Sequence, residues 1–435
     1  VPEHADLLAR HRRVLPAWLT LYYDEPIELV SGEGRHVVDG EGNRYLDFFG
    51  GILTTMTGYA VPEVVEAIRE QAGRMLHTST LYLIRPQVEL AERLAALSGI
   101  PDAKVFFTTS GSEANEAALL LASTYRRSNQ VLALRNSYHG RSFATIGVTG
   151  NRGWSASSLT PFAVHYVHNG YRFRSPFRHL DDDAFVAAVV DDVRDVIVTM
   201  TAGDVACLIA EPIQGVGGFT VPPDGMLGAV QEVLDEYGIL YVSDEVQTGW
   251  GRTGEHFWGY EAHGVRPDLL TFAKGLGNGL AMAGVIARGE VMDCLQANSI
   301  STFGGNPLVC AGSLANLRYL LDHDLQANAA RTGKRLLERL RPLADALAVV
   351  GEVRGKGLMV GVELVGPDGY APNAPAAARA LEHARRAGLL IGKGGLFGNC
   401  LRIAPPLSVT DDEIDTGAGI LEDVLRTVER EEVRG

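Results

Sequence analysis

Hydrophobic and polar positions follow two rhythms along this chain, and the places where the rhythm changes divide it. Residues 3–14 carry Leu7 and Leu8 among polar neighbours and predict a short N-terminal helix or arm. Residues 27–30, 35–38 and 45–49 then read as strands, with Asp39-Gly40 and Glu41-Gly42 marking a hairpin. From Pro62 onward, helical periodicity alternates with short apolar runs. Val64, Val65, Ile68 and Ala72 share one helical face, and a second helix covers about 87–98. Apolar runs at 105–109, 131–134, 205–210, 240–244 and 269–272 predict strands, with helices at about 113–126 and 226–237 between them. Alternation of this kind predicts a mostly parallel sheet clothed by helices.

Beyond about residue 310 the pattern becomes helical to about 345, then strand-like at 349–354 and 358–364. A helix at about 375–387 and strands at 389–391 and 401–403 follow. The last helix is announced by Thr410-Asp-Asp-Glu413, a capping box, and by the stripe Ile414, Leu421, Val424, Leu425 and Val428. No internal repeat or low-complexity linker interrupts the chain. The pattern therefore predicts three segments: 1–60 as an arm and the first part of a small α+β unit, 61–310 as a large α/β unit, and 311–435 as the rest of the small one.

Composition narrows the function. At 435 residues the chain exceeds one ordinary core, and with 46% hydrophobic and 21% charged residues it is globular in character. A net charge of −14 without a basic run argues against nucleic acid or an anionic membrane as partner. Arg172, Arg174 and Arg178 form a local basic cluster that reads as a solvated loop. Cys207, Cys294, Cys310 and Cys400 lie far apart, and the twelve histidines show no metal-binding spacing, so neither a disulfide scaffold nor a metal site is expected. No apolar run approaches roughly 18 residues and residues 1–6 are polar, which predicts neither a membrane span nor a signal peptide. A cytoplasmic setting is expected.

The chemistry gathers at predicted strand ends. Asp244 leaves one apolar strand and Lys274 another, each followed by glycines. Ligands bind at that rim of an open α/β sheet. A lysine among glycines is usually only solvated. After an apolar strand, however, desolvation lowers its pKa, which suits it to carbonyl chemistry and proton transfer. Asp244 reads either as a cap or as a carboxylate that pairs with a pyridinium N–H. Gln247 could bond a ring substituent while Val246 packs on the ring face, and Tyr138 could stack on a flat ring. Ser110-Gly-Ser-Glu-Ala-Asn115, between a strand and a helix, suits an anion such as a phosphate, although N-capping by Ser112 would explain it as well. The set as a whole points to pyridoxal phosphate.

These residues belong to longer motifs: Ser110-Gly-Ser-Glu-Ala-Asn115, Tyr138-His-Gly140, Glu211-Pro-Ile-Gln-Gly215, Asp244-Glu-Val-Gln-Thr-Gly249, Ala273-Lys-Gly275, Ser301-Thr-Phe-Gly-Gly-Asn-Pro307 and Arg402-Ile-Ala-Pro-Pro-Leu407. Over nearly its whole length the chain resembles the class III (ω-amino-acid) aminotransferases. The resemblance implies an α/β protein of pyridoxal phosphate fold type I, aspartate-aminotransferase-like, with a large mostly parallel sheet domain and a small α+β domain. It implies that Lys274 bonds the cofactor and shuttles protons while Asp244 pairs with the pyridine nitrogen. Ser110, Gly111, Ser112, Tyr138, His139, Glu211, Val246 and Gln247 are the implied remaining contacts from the same chain. Thr302 is implied to reach the phosphate in a partner subunit, making a homodimer with interfacial active sites, or a tetramer built from it.

Arg402 resembles the arginine that grips substrate carboxylates, a task suited to a guanidinium fork. Val216 stands where ornithine-type members carry a shielding glutamate, and Ile52 where they carry a tyrosine. Both departures disfavour an ornithine substrate. The stretch from Leu390 to Phe397, with His77-Thr-Ser-Thr80, resembles the alanine–glyoxylate and β-alanine–pyruvate subgroup. The implied reaction is ping-pong transfer, through pyridoxamine phosphate, from an ω-amino acid, alanine or primary amine to pyruvate or glyoxylate. Tyr22, Ile52 and Phe397 are the expected pocket-width residues. A decarboxylase or aminomutase on the same fold, a 2-oxoglutarate-dependent enzyme of the 4-aminobutyrate type, and a non-catalytic cofactor-binding protein are the alternatives.

Overall fold

A computed structural model of the protein describes residues 3–434. Val1 and Pro2, the first residues of the N-terminal stretch, and Gly435 lie outside the described residues. Seven strands between residues 103 and 288 form the central sheet. Their spatial order is Ala103–Thr108, Ala283–Arg288, Leu269–Phe272, Leu240–Asp244, Cys207–Ala210, Gln130–Leu134 and Ala163–Val167. The last five pair in parallel, and Ala283–Arg288 runs antiparallel to both of its neighbours.

Period-two alternation sends the side chains of these strands into two separate cores. Leu132, Leu208, Tyr241 and Leu270 face one core, where Phe185 and Val189 of helix Asp182–Met200 and Leu227 and Val230 of helix Met226–Glu236 meet them. Val131, Ile209, Val242 and Leu269 face the other, packed on Ala114, Ala118 and Leu121 of helix Gly111–Arg126. Both faces are covered, which is why the inner strands read as unbroken apolar runs.

Two four-stranded sheets flank this one. In the first, Leu29–Glu33, His36–Asp39 and Arg44–Asp47 form an antiparallel meander, and Leu389–Leu390 adds in parallel to Arg44–Asp47. Asp39 holds the predicted hairpin turn by accepting from the Asn43 amide N–H at 2.8 Å and the Tyr45 hydroxyl at 2.7 Å. The second sheet has the order Val350–Lys356, Met359–Leu364, Cys400–Ile403 and Gly392–Gly394. The final helix, Asp411–Arg434, starts at the expected capping box: Thr410 N–H donates to Glu413 at 2.9 Å, and Glu413 N–H donates back to the Thr410 hydroxyl at 3.3 Å. No helix among the described residues is long and apolar enough to cross a membrane.

Three elements carry too little local signal to be read from the sequence. Helix Asp182–Met200 is rich in Val and Ile, whose branched side chains favour strands, and only the Asp181 cap on the Ala184 N–H (2.9 Å) announces it. Strand Ala163–Val167 is an edge strand interrupted by His165, and Ala283–Arg288 opens on Ala-Gly. The basic cluster departs from its solvated-loop reading. Arg174 is largely buried and donates from Nε to Glu363 at 2.6 Å, Arg172 pairs with Asp182, and Arg178 lies 4.5 Å from the Tyr370 ring centre. Glu363, remote in sequence, draws Arg174 inward, while Arg178 stays exposed as expected.

Candidate active site

The carboxyl ends of the parallel strands converge on a cavity of about 270 Å³, lined by Ser110, Gly111, Ser112, Tyr138, His139, Glu211, Asp244, Val246, Gln247 and Lys274. A groove of about 870 Å³ lies outside it, past Tyr22, Trp154, Lys393 and Phe397. The smaller cavity is the candidate reaction site, because the lysine, the carboxylate and the helix N-terminus meet there.

Local structure places each group. Ser110 is extended (φ −149°, ψ 157°) and caps helix Gly111–Arg126 by accepting from the Glu113 N–H at 3.2 Å. The cap is thus Ser110 and not Ser112, whose hydroxyl instead turns across to accept the Arg141 N–H at 3.2 Å. Gly111 lies against Val246, where a Cβ would come within 3.4 Å of the valine methyls. Gly140 (φ +135°) passes so close to the helix start that a Cβ would stand 2.5 Å from the Ser112 hydroxyl. Free N–H groups at a helix start and a serine hydroxyl in the cavity wall form a cup for an anionic group.

Asp244 is buried and heavily bonded. Its Oδ2 accepts from Asn115 Nδ2 and His139 Nδ1, both at 2.8 Å, and Oδ1 accepts the Val246 N–H at 3.1 Å. An ionised Asp244 requires His139 to carry its proton on Nδ1, leaving Nε2 buried without a partner. Asn115 is oriented in turn by the Thr271 hydroxyl, which donates to its Oδ1 at 2.7 Å. Glu211 accepts the Tyr138 N–H at 2.9 Å and the Gly215 N–H at 2.8 Å. Burial raises the Glu211 pKa; His139 opposes the rise and Asp244 adds to it. Tyr138 stands edge-on to Trp154, ring centres 5.6 Å apart.

Lys274 adopts a left-handed backbone, φ +44°, as strand Leu269–Phe272 breaks into the 3-10 turn Lys274–Gly277. A non-glycine residue in that region is strained and must be held by its surroundings. Asn316 holds it here, donating from Nδ2 to the Gly275 and Leu276 carbonyls at 2.9 Å each. Burial draws the Lys274 pKa below its ordinary value, an effect Asp244 opposes and Arg402 reinforces.

Four sequence candidates stand outside the cavity lining. Thr302 is exposed, Ile52 is exposed with φ +66°, and Tyr22 lines the outer groove. Arg402 is buried between Phe49 and Phe219, its guanidinium carbon 5.0 and 5.5 Å from their ring centres. Nη1 donates to the Gly215 carbonyl at 3.3 Å, while Nε is buried without a partner. Among the described residues no carboxylate comes within 4.0 Å of Arg402. Asn115, Thr271 and Asn316 were missed as site residues. A polar residue one helical turn after the anion cup was the available signal for Asn115, and nothing local distinguishes the other two.

The cavity fits pyridoxal phosphate on its own features. It offers an anion cup at one end and a buried carboxylate for a protonated ring nitrogen. Along its wall stand Lys274 and the side-chain oxygen of Gln247, which is buried without a hydrogen-bond partner. Fold and site together define an enzyme of pyridoxal phosphate fold type I. The profile of the family described as Aminotransferase class-III matches residues 22–425. The chain belongs to that family, is an aminotransferase, and uses pyridoxal phosphate as its cofactor.

Among its relatives, alanine–glyoxylate aminotransferase 2 homolog 2, mitochondrial, of Arabidopsis thaliana is 40% identical over 420 residues, covering 95% of this chain and 86% of the relative. An acetylornithine aminotransferase of Methanothermobacter thermautotrophicus is 38% identical over 405 residues, covering 93% and 95%. The crystal structure of an amine transaminase from an uncultivated Pseudomonas species, in a PLP-bound form, superposes with a TM-score of 0.88 at 33% identity, covering 93% and 96%.

Proposed function

We propose that this aminotransferase moves the amino group of an ω-amino acid, alanine or primary amine to pyruvate or glyoxylate in two alternating half-reactions. Bound pyridoxal phosphate supplies the aldehyde that exchanges the amino group and a ring that accepts electrons while its nitrogen is protonated. The chain's own residues do the rest. Asp244, fixed by Asn115, His139 and the Val246 N–H, would pair with the ring nitrogen and hold its proton there. Gly111 and Ser112 bind the phosphate, with Ser110 shaping the cup. Tyr138 and Val246 would pack against the ring, and Gln247 would bond the ring hydroxyl. Glu211 steadies Tyr138 through its N–H. Lys274 Nζ, with its pKa lowered by burial, takes and returns the proton that moves during amino transfer.

Arg402 carries the acceptor side of this reading. A buried guanidinium with an unpartnered Nε and no protein carboxylate beside it is suited to a carboxylate brought by the substrate. Val216, buried and uncharged, leaves that arginine unshielded, which supports a small keto acid over an ornithine-type substrate. Tyr22 and Phe397 line the outer groove, which supports their reading as pocket-width residues; Ile52 lines neither cavity. The names of the Arabidopsis relative and of the Pseudomonas amine transaminase support alanine and amines as donors and glyoxylate as an acceptor.

We further propose a homodimer. Thr302 is exposed and outside its own cavity, beside Phe303 (59% exposed), and Leu81 and Leu83 are 77% and 98% exposed. A second copy would cover this apolar surface and receive Thr302 at its phosphate cup. Residues 61–310 are read as the cofactor-binding unit, since all seven strands of the central sheet fall within them. Residues 1–60 and 311–435 are read as the smaller unit, joined where Leu389 pairs with Leu46. The four free cysteines support a reducing, cytoplasmic setting.

A donor panel scored against pyruvate, glyoxylate and 2-oxoglutarate tests the reading, and 2-oxoglutarate as the preferred acceptor would overturn it. In the same panel Arg402→Ala should raise KM for keto acids about 30-fold or more while sparing carboxylate-free amines. Equal effects on both would remove the carboxylate role.

A further inference from the structure

Beside Arg402 on the same sheet lies a buried charge network that amino transfer itself does not use. Glu363, on strand Met359–Leu364, is fully buried, yet five donors converge on it. Arg174 Nε lies at 2.6 Å, Arg354 Nη2 at 3.0 Å, Asn399 Nδ2 and Cys400 Sγ at 2.8 Å each, and the Tyr171 hydroxyl completes the set. Burial by itself would raise the Glu363 pKa, but Arg354 and the other donors hold it down at about 2. Arg354 also donates to the Gly218 carbonyl from Nε at 3.1 Å and from Nη2 at 2.7 Å. A buried ion pair is often replaceable by apolar residues without loss of stability, so the network needs a reason other than stability.

Its position supplies one. Gly218 sits at φ +99°, and a Cβ there would stand 2.7 Å from Cys400 Sγ and 3.0 Å from Arg354 Nη2. The loop 215–219 carries two of the three groups that hold Arg402, the Gly215 carbonyl and the Phe219 ring, the third being the Phe49 ring. Cys400 precedes Arg402 by two residues on strand Cys400–Ile403 and so shares its face. Gly361 pairs with Arg402 in register, and a Cβ at Gly361 would lie 2.5 Å from the Gly218 carbonyl oxygen. The network therefore ties the loop to the same face of the strand that bears Arg402.

We propose that Arg354 and Glu363 are positioning residues for substrate carboxylates: they lock the 215–219 loop onto the arginine-bearing strand, so that Arg402 keeps one orientation. This rests on the reading of Arg402 as the carboxylate grip. When the lock is broken, Arg402 loses its orientation while Lys274 and the phosphate cup stay as they are.

The test uses Arg354→Lys, Glu363→Gln and the milder Tyr171→Phe as holoenzymes, the last keeping the ring if the charge changes prevent folding. Each is mixed with L-alanine or with the carboxylate-free amine 1-phenylethylamine, and the loss of cofactor absorbance near 420 nm is followed through a single half-reaction. The apparent Kd for alanine should rise about tenfold, with the limiting rate and the whole amine half-reaction within about twofold of the parent. A role confined to general stability would slow both donors alike, and that result, or no change with either donor, overturns the proposal. Arg402→Ala is run in parallel. If it fails to separate alanine from the amine, the carboxylate reading itself falls. If it separates them and the network variants do not, only the present inference falls.

Discussion

Replacing Asn115 by leucine probes how the ring-facing carboxylate is held. Leucine repeats the branching of asparagine with bulkier methyls in place of the amide, so the change removes hydrogen bonds without opening a cavity. Three bonds vanish, all buried: Asn115 Nδ2 to Asp244 and to the His139 carbonyl, both 2.8 Å, and the Thr271 hydroxyl to Asn115 Oδ1, 2.7 Å. The bond to an ionised carboxylate is worth about 2 kcal/mol, and the two neutral partners left dry cost about 1 kcal/mol each at the low end of their range. The apoprotein should therefore lose about 4 kcal/mol of unfolding free energy, read in urea by tryptophan fluorescence. The share acting on Asp244, about 2 kcal/mol, corresponds to a roughly 30-fold weaker hold on pyridoxal phosphate. Titrating the apoprotein with the cofactor measures that directly. Thr271→Val should move both quantities the same way by a smaller amount. A stability loss under about 1 kcal/mol with an unchanged cofactor affinity would mean that His139 and the Val246 N–H fix Asp244 without Asn115.

Further outcomes follow from the same geometry. Lys274→Ala should leave the fold intact, lower amino-transfer turnover by about 10³-fold or more, and let gel filtration strip the cofactor; retained turnover would refute the role of Nζ. Burial pushes the thiols of Cys207, Cys310 and Cys400 up to about 12. Only Cys294 should therefore react with iodoacetamide in the native protein at pH 8, counted by intact mass. Burial lowers the His263 pKa to about 4 from 6.5, and its Nδ1 has no hydrogen-bond partner. A depressed folded pKa contributes stability that is present above 6.5 and is lost as pH falls through about 4, on the order of 3 kcal/mol in all. Urea midpoints at pH 7, 5 and 4 should show that slope in the parent and a shallower one in His263→Gln; identical slopes would exclude His263.

The large sheet was legible before any coordinates because its signals are local. An apolar run of four or five residues ending in a charge marks a buried parallel strand and its carboxyl end, and Asp244 and Lys274 both fall where that pattern places them. The cap at Thr410 and the turn at Asp39 were likewise written in neighbouring residues. Signals failed where composition and context disagreed, as in the valine-rich helix Asp182–Met200 and in the arginines at 172 and 174.

What the sequence determined by itself was the inventory: which strand ends carry the lysine, the acid and the anion cup, and in which family such an order occurs. It could not show what holds those groups in place. Asn115 and Asp244 are 129 positions apart, and Arg354 reaches Gly218 across 136. Such contacts arise only when parallel strands bring their carboxyl ends to one edge and the C-terminal sheet packs against the 215–219 loop. Strand-end chemistry is set by local periodicity, whereas hydrogen-bond partnership depends on which elements pack side by side, and only the tertiary structure decides that.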